Sequence, residues 1–288
     1  MVQLIHASGR EALSLSTRLL QRVRVADPYA GVWEAADVQW AWRKPTSSDG
    51  IDKPFWLDDH GQPVAGVLLA TSGDDCQIDP VVVPGAFDVG TAFAAALELG
   101  RAHAPGGFDI PTDDADPVLL RLVTEAGLTP GYRDSTAWVA ADDRREPRPT
   151  ADGYRIVDRT QRADAPHPMR RRNGEQVAQR LAECSLYDAE LDLAVETTDA
   201  CQAGVALFWA DPVTRVGLVE PVRVEDEHQR RGLASALVSE GVARLFARGM
   251  ERVKVSFGSE AAGATYRGVG FVPTSTTTWF GRANGSAL

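Results

Sequence analysis

The chain has 288 residues, 44% hydrophobic and 24% charged, which excludes a mainly disordered, collagen-like or disulfide-scaffold protein and suits two domains of ordinary size. Its 40 acidic and 30 basic side chains leave a net charge of −10, an argument against a broad nucleic-acid surface or an anionic membrane as partner. Cys76, Cys184 and Cys201 lack metal-ligand spacing, no window of 18 apolar residues occurs, and no basic stretch leads into an apolar run after Met1. No metal site, membrane span or export signal is therefore expected, and a cytoplasmic location fits best.

The acid is unevenly spread. Residues 1–150 hold 13 Lys+Arg and 22 Asp+Glu, net −9, while residues 151–288 hold 17 and 18, net −1. Only Lys44, Lys53 and Lys254 are lysines, a bias given no functional weight.

In chain order, Trp33, Trp40, Trp42 and Trp56 come first, with core packing as the ordinary explanation and an aromatic acceptor pocket as the alternative. Val81-Val82-Val83 reads as a strand and Gly90-Thr91-Ala92 as the opening of a helix. The charged, proline-bearing stretch from Asp142 to Thr150 reads as a linker, giving domains 1–141 and 153–288 joined by 142–152. Beyond it, Arg170-Arg171-Arg172 beside His167 would suit either a solvated loop or an anionic acceptor.

Further on, Ala203 to Trp209 and Arg215 to Val224 read as a hairpin around an Asp211-Pro212 turn. A helix is predicted over Leu233 to Arg248, a strand over Arg252 to Phe257, a helix over Ala261 to Val269 and a strand over Thr274 to Phe280. The two halves look like one fold used twice. Gly90-Thr91-Ala92 and Gly232-Leu233-Ala234 lie 142 residues apart, and Gly127-Leu128-Thr129-Pro130 and Gly270-Phe271-Val272-Pro273 lie 143 apart.

Between a strand and a helix lies Gln229-Arg230-Arg231-Gly232-Leu233-Ala234. Amides of a first helical turn have no internal partner, the helix dipole favours an anion there, and a Gly lets a phosphate approach the main chain. Two arginines add bidentate donors. The bland alternative is a surface loop with solvated arginines.

With its flanks, this segment resembles the GNAT family, the acetyl-coenzyme-A-dependent N-acetyltransferases. Val224, four intervening residues and the Gln229 to Ala234 loop fit that family's signature, and Ala262, Tyr266 and Gly270-Phe271 fit a second motif, in which Ser259 stands where the family has Asn. The resemblance covers residues 153–282 and reaches the first half only in outline. It implies an α/β (α+β) protein of two tandem GNAT-like domains, each a mixed, mostly antiparallel sheet flanked by helices. The pantetheine arm of acetyl-CoA would pair with Val222, Arg223 and Val224, the amides from Gln229 to Ser235 would hold the pyrophosphate, and Ser259 would have a shorter reach than Asn toward the pantetheine.

Acetyl transfer to an amine needs a base for the amine and an acid for the departing thiolate. Tyr266 matches the family tyrosine close to the sulfur, against the alternative of a packed tyrosine with its hydroxyl in water. Glu220 is the base candidate, placed by period-two alternation on the side of Val222 and Val224, with a structural salt bridge as its rival. His228 would titrate near neutrality, though a solvent-exposed role is the simpler reading.

The first half has Pro84 to Val89 where the second has its basic loop, and Val123 where the second has Tyr266, so it is expected not to bind the coenzyme productively. The expected acceptor is a small-molecule or peptide amine, with a homodimer left open. Rival readings are a catalytically silent acetyl-CoA-binding sensor or scaffold and an enzyme like mycothiol synthase.

Overall fold

The structure is a computed structural model, and residues 2–72 and 75–281 are described. Its first half runs β1 (Gln3–Ala7), α1 (Gly9–Ala26), α2 (Ala35–Ala41), β2 (Lys53–Leu57), β3 (Pro63–Ser72), β4 (Asp75–Val82), α3 (Val89–His103), β5 (Ile110–Asp113), α4 (Pro117–Glu125) and β6 (Thr129–Ala140). The second half repeats the order with β7 (Tyr154–Asp158), α5 (Arg170–Asn173), α6 (Val177–Ala182), β8 (Asp192–Thr197), β9 (Gln202–Asp211), β10 (Val216–Val224), α7 (Leu233–Ala247), β11 (Arg252–Phe257), α8 (Glu260–Val269) and β12 (Val272–Gly281). This element-by-element match is what a duplicated α/β fold requires.

Contacts gather the chain into two compact units. Among the described residues the first holds 2–41, 45–72, 75–134 and 275–281, and the second holds 42–44 and 135–274. The segment 142–152 thus lies inside the second unit, where Arg148 donates its backbone N–H to Ser239 Oγ and both Arg145 and Arg148 donate to the Gly268 carbonyl. The last seven residues of the expected second domain, 282–288, lie outside the described residues.

In the first unit β1, β2, β3 and β4 follow one another antiparallel. A parallel bridge from Gln77 to Asp109 continues to β5, and β5 pairs antiparallel with β12, Thr277 opposite Asp113. The core holds Val67, Ile78, Phe93, Ile110 and Val123, and Phe280 of β12 joins it.

The second unit has the strand order β7-β8-β9-β10-β11-β6. All its pairings are antiparallel except β10 with β11. Its outer strand comes from the first half: residues 135–140 of β6 pair with β11, Ser135 opposite Phe257 and Ala140 opposite Arg252. Ala137 and Val139 alternate into a core built from Leu193, Val195, Phe208, Leu237, Leu245, Val253 and Phe271. Each half therefore gives its last strand to the other half's penultimate strand, so each unit is completed by both halves of the sequence. Gly241 lets α7 lie directly on the Phe208 ring, 2.1 Å from where a Cβ would stand.

Candidate functional site

The site begins where two parallel strands part. β10 and β11 pair only from Val216 opposite Arg252 to Leu218 opposite Lys254, although β10 runs on to Val224 and β11 to Phe257. Past Leu218, β10 stays paired with β9 but no longer with β11, so its other edge there is one that an extended ligand can add to as a further strand.

Within that stretch the ladder slips. Val219 faces Phe208 and Val222 faces Ala206, two residues apart on β9 but three on β10. Val219 and Val222 both pack on the core beneath α7, so Glu220 and Pro221 together fill the space of one residue. Period-two alternation is therefore interrupted between Val219 and Val222, and it does not fix which face Glu220 takes. Its backbone is fixed by Trp209, whose indole Nε1 donates to the Glu220 carbonyl at 2.9 Å.

Two charged or ionisable groups sense Glu220. Tyr266 on α8 is buried, its ring meeting Phe257 at 5.7 Å and Phe271 at 5.8 Å. Burial raises its phenol pKa, and the negative charge of Glu220 raises it further. The other group is Arg43, delivered by the first half within the three residues that join the second unit. Burial lowers its pKa and the charge of Glu220 opposes that shift. The segment is held by Arg43 Nε donating to Asn173 Oδ1 at 2.7 Å, by Trp42 Nε1 donating to Glu183 at 2.8 Å, and by the Arg180 guanidinium 3.5 Å over the Trp42 ring. No local sequence signal marks Arg43, since its neighbours at the site come from the other half.

At the far end of β10 the chain makes a short 3-10 turn, Asp226–His228, and enters α7. Arg230 and Gly232 both have left-handed backbone, with φ of 61° and 76°. Such kinks turn successive amides to one side, the geometry of an anion-binding nest. No side chain caps α7, nothing lies within 4 Å of where a Gly232 Cβ would stand, and the side chains of Gln229, Arg230 and Arg231 are exposed. The amides of Leu233, Ala234 and Ser235 form the first helical turn. Gln229 braces the approach, donating to the Val224 carbonyl at 3.3 Å and to Asp226 at 2.9 Å. Arg223 approaches Asp226 at 3.9 Å. These donors suit a phosphate-bearing group.

The first half differs at this spot. There Asp88 caps α3, accepting from the Thr91 N–H at 2.7 Å and the Thr91 hydroxyl at 2.8 Å, and those bonds hold its carboxyl below the usual range. A carboxylate of the protein itself sits against the helix amides.

Other expected residues fall into structural roles. Ser259 caps α8, its Oγ accepting from the Ala262 N–H at 3.3 Å, which leaves its hydroxyl proton to donate. His228 is half buried with Nδ1 2.9 Å from the Tyr154 hydroxyl. Arg170 and Arg172 pair with Glu175 and Glu225, while His167 is buried against Asp192 at 2.9 Å. Three of the four tryptophans go separate ways: Trp33 meets Trp279, Trp56 meets Phe87, and Trp42 lies in the second unit.

Among the described residues no group of three or more His, Cys, Asp or Glu side chains is arranged to hold a metal ion, and no helix is long and apolar enough to cross a membrane.

Residues 152–271 match the family described as Acetyltransferase (GNAT) family. No protein of curated function matches the chain in sequence. Among solved structures, a tandem GNAT protein from the clavulanic acid biosynthesis pathway is 13% identical with a TM-score of 0.70, each chain covering 100% of the other. A GCN5-related N-acetyltransferase from Sphaerobacter thermophilus is 18% identical with a TM-score of 0.60, covering 97% of this chain and 95% of its own. One from Kribbella flavida is 19% identical with a TM-score of 0.53, covering 77% and 88%.

Proposed function

We propose, from the match of residues 152–271 to the acetyltransferases of the GNAT family, that the second unit transfers acetyl from acetyl-CoA to an amine of a small molecule or peptide by direct attack in a ternary complex. Acetyl-CoA enters as a substrate and supplies an activated thioester. The amides from Gln229 to Ser235, with Arg230 and Arg231, would hold its phosphates, and the open edge of β10 at Val222, Arg223 and Val224 would take its pantetheine arm. The Val222 N–H would polarise the thioester carbonyl, and the Ser259 hydroxyl would donate to the arm.

The observation that carries the reading is the coupling of Glu220 with Tyr266 beside the parted strands. In the transfer, a C–N bond forms and the C–S bond breaks. Glu220, directly or through a water, takes the proton released by the amine, and Tyr266 gives its proton to the departing sulfur. While Glu220 is charged it holds the Tyr266 proton in place. Once Glu220 is protonated that restraint is gone, and Tyr266 becomes the better acid when the sulfur needs a proton.

The capped α3 supports a reading in which the first half takes no coenzyme. Calorimetry with acetyl-CoA should give one molecule per chain, and two would overturn that part. Thiol release screened against amines, polyamines, aminoglycosides and peptide N-termini tests the whole. Turnover with an amine is the expected result. Tight acetyl-CoA binding with no thiol release against any of them would favour a sensor.

A further inference from the structure

The first unit keeps a relic of the second unit's site. β4 and its exit carry Asp79-Pro80-Val81-Val82-Val83, and β10 carries Glu220-Pro221-Val222-Arg223-Val224, an offset of 141 residues throughout. Each carboxylate stands two residues past the last parallel contact of its strand, Gln77 with Asp109 in one case and Leu218 with Lys254 in the other. Asp79 is therefore the positional counterpart of Glu220.

Its surroundings have been rebuilt. Asp79 is 5% exposed and accepts from the Trp33 indole Nε1 at 2.7 Å and from Gln77 Nε2 at 2.7 Å. Trp33 meets Trp279 edge-on, centroids 6.4 Å apart and planes at 77°, and Trp279 meets Tyr132 at 5.3 Å and 62°. None of these three rings belongs to the unit's hydrophobic core. Trp33 and Trp279 are half buried and Tyr132 is 58% exposed, so the cluster reaches solvent through Tyr132. Further carboxylates, Asp37 and Asp134, lie close enough to act on Asp79 and Tyr132. The nearby Arg133 is committed to Asp114 at 2.5 Å.

We propose that this corner of the first unit binds an organic ammonium ion, held against the faces of Trp33, Trp279 and Tyr132 with the Asp79 carboxylate behind the Trp33 indole. Rings set steeply to one another offer a cation several π faces at once. An indole N–H that donates to a carboxylate leaves its ring richer in electrons, and the acidic surroundings favour the same sign of ligand. The site is chemically opposite to the phosphate-holding loop of the second unit.

The test is titration of the full chain with tetramethylammonium chloride at pH 8.5, followed by calorimetry and tryptophan fluorescence, with tert-butanol as the neutral probe of similar shape. Saturable binding of the cation and none of the alcohol is expected. Tyr132→Ala, at an exposed ring that does not support the core, should weaken binding about fivefold or more while Tyr132→Phe stays within about twofold. Asp79→Asn, which keeps an acceptor for Trp33 but not the charge, should also weaken it, with melting curves verifying that each variant is folded. Equal binding of the alcohol, no saturation by the cation, or unchanged affinity in folded Tyr132→Ala would overturn the proposal. Acetyl transfer is not read in this experiment, so its outcome is separate from that of the proposed function.

Discussion

Glu220 on β10 and Tyr266 on α8 share one electrostatic environment, in which the carboxylate charge adds to burial in keeping the phenol protonated. Removing either partner should have a distinct signature. Tyr266→Phe preserves the ring contacts with Phe257 and Phe271, so acetyl-CoA affinity should stay within about twofold while kcat falls about a hundredfold, in the range that general acid catalysis contributes. Glu220→Gln should lower kcat comparably. It should also shift the tyrosinate titration of Tyr266 to lower pH in an ultraviolet difference spectrum, since one of the two causes of the raised pKa is gone. An unmoved titration would separate the two residues.

The loop before α7 should act through charge. Arg230→Ala with Arg231→Ala removes two exposed cations beside uncapped amides. Acetyl-CoA binding should weaken about tenfold and become less sensitive to salt, while an acetyl-pantetheine fragment without phosphates should bind the variant and the parent alike. Equal losses for both ligands would mean that the loop supports the fold of the cleft rather than the phosphates.

The exchanged strands make the halves interdependent. A fragment of residues 142–288 lacks Ser135 to Ala140, so every β11 partner on that side is missing, and with them the buried Ala137 and Val139. An exposed strand edge of that length is a site for association. It also lacks Trp42 and Arg43. The expected result is an aggregating fragment with no cooperative melt, and fusion of residues 129–141 to its N-terminus should restore solubility before it restores activity. A fragment that melts cooperatively at full stability would show that the β6 pairing is dispensable.

Local chemistry was legible in the sequence and long-range pairing was not. The loop from Gln229 to Ala234 announced itself because a Gly and two arginines at the start of a helix act through neighbouring amides. β6 alternates Ala137 and Val139 inward in the same pattern whichever sheet receives it, so no residue in it names its partner. The bulge at Glu220 defeated period-two reasoning, which has no means of seeing an extra residue between Val219 and Val222. Asp79-Pro80 did carry a signal, the same acid-proline pair ahead of a valine run at the repeat offset, visible once β4 and β10 are laid on one another. Arg43 carried none.

Asp79 should make the first unit less stable as pH rises from acid to neutral. Burial raises its pKa from 3.8 to about 7, with the hydrogen bonds from Gln77 and Trp33 working the other way and Asp37 adding to the rise. A raised carboxyl pKa means that between pH 3.8 and about 7 the folded chain holds a proton which the unfolded chain has already released. This group's contribution is therefore fully present below pH 3.8 and is lost as pH climbs through about 7, up to about 4 kcal/mol at about 1.36 kcal/mol for each pH unit. Asp79→Asn removes the titration while keeping the size of the side chain. The difference in unfolding free energy between variant and parent should shift in favour of the variant as pH rises from 5, most steeply at the acid end of the range, and level off above about pH 7, when read from urea denaturation. A difference that stays flat would place the Asp79 carboxylate in a better solvated setting than its burial implies.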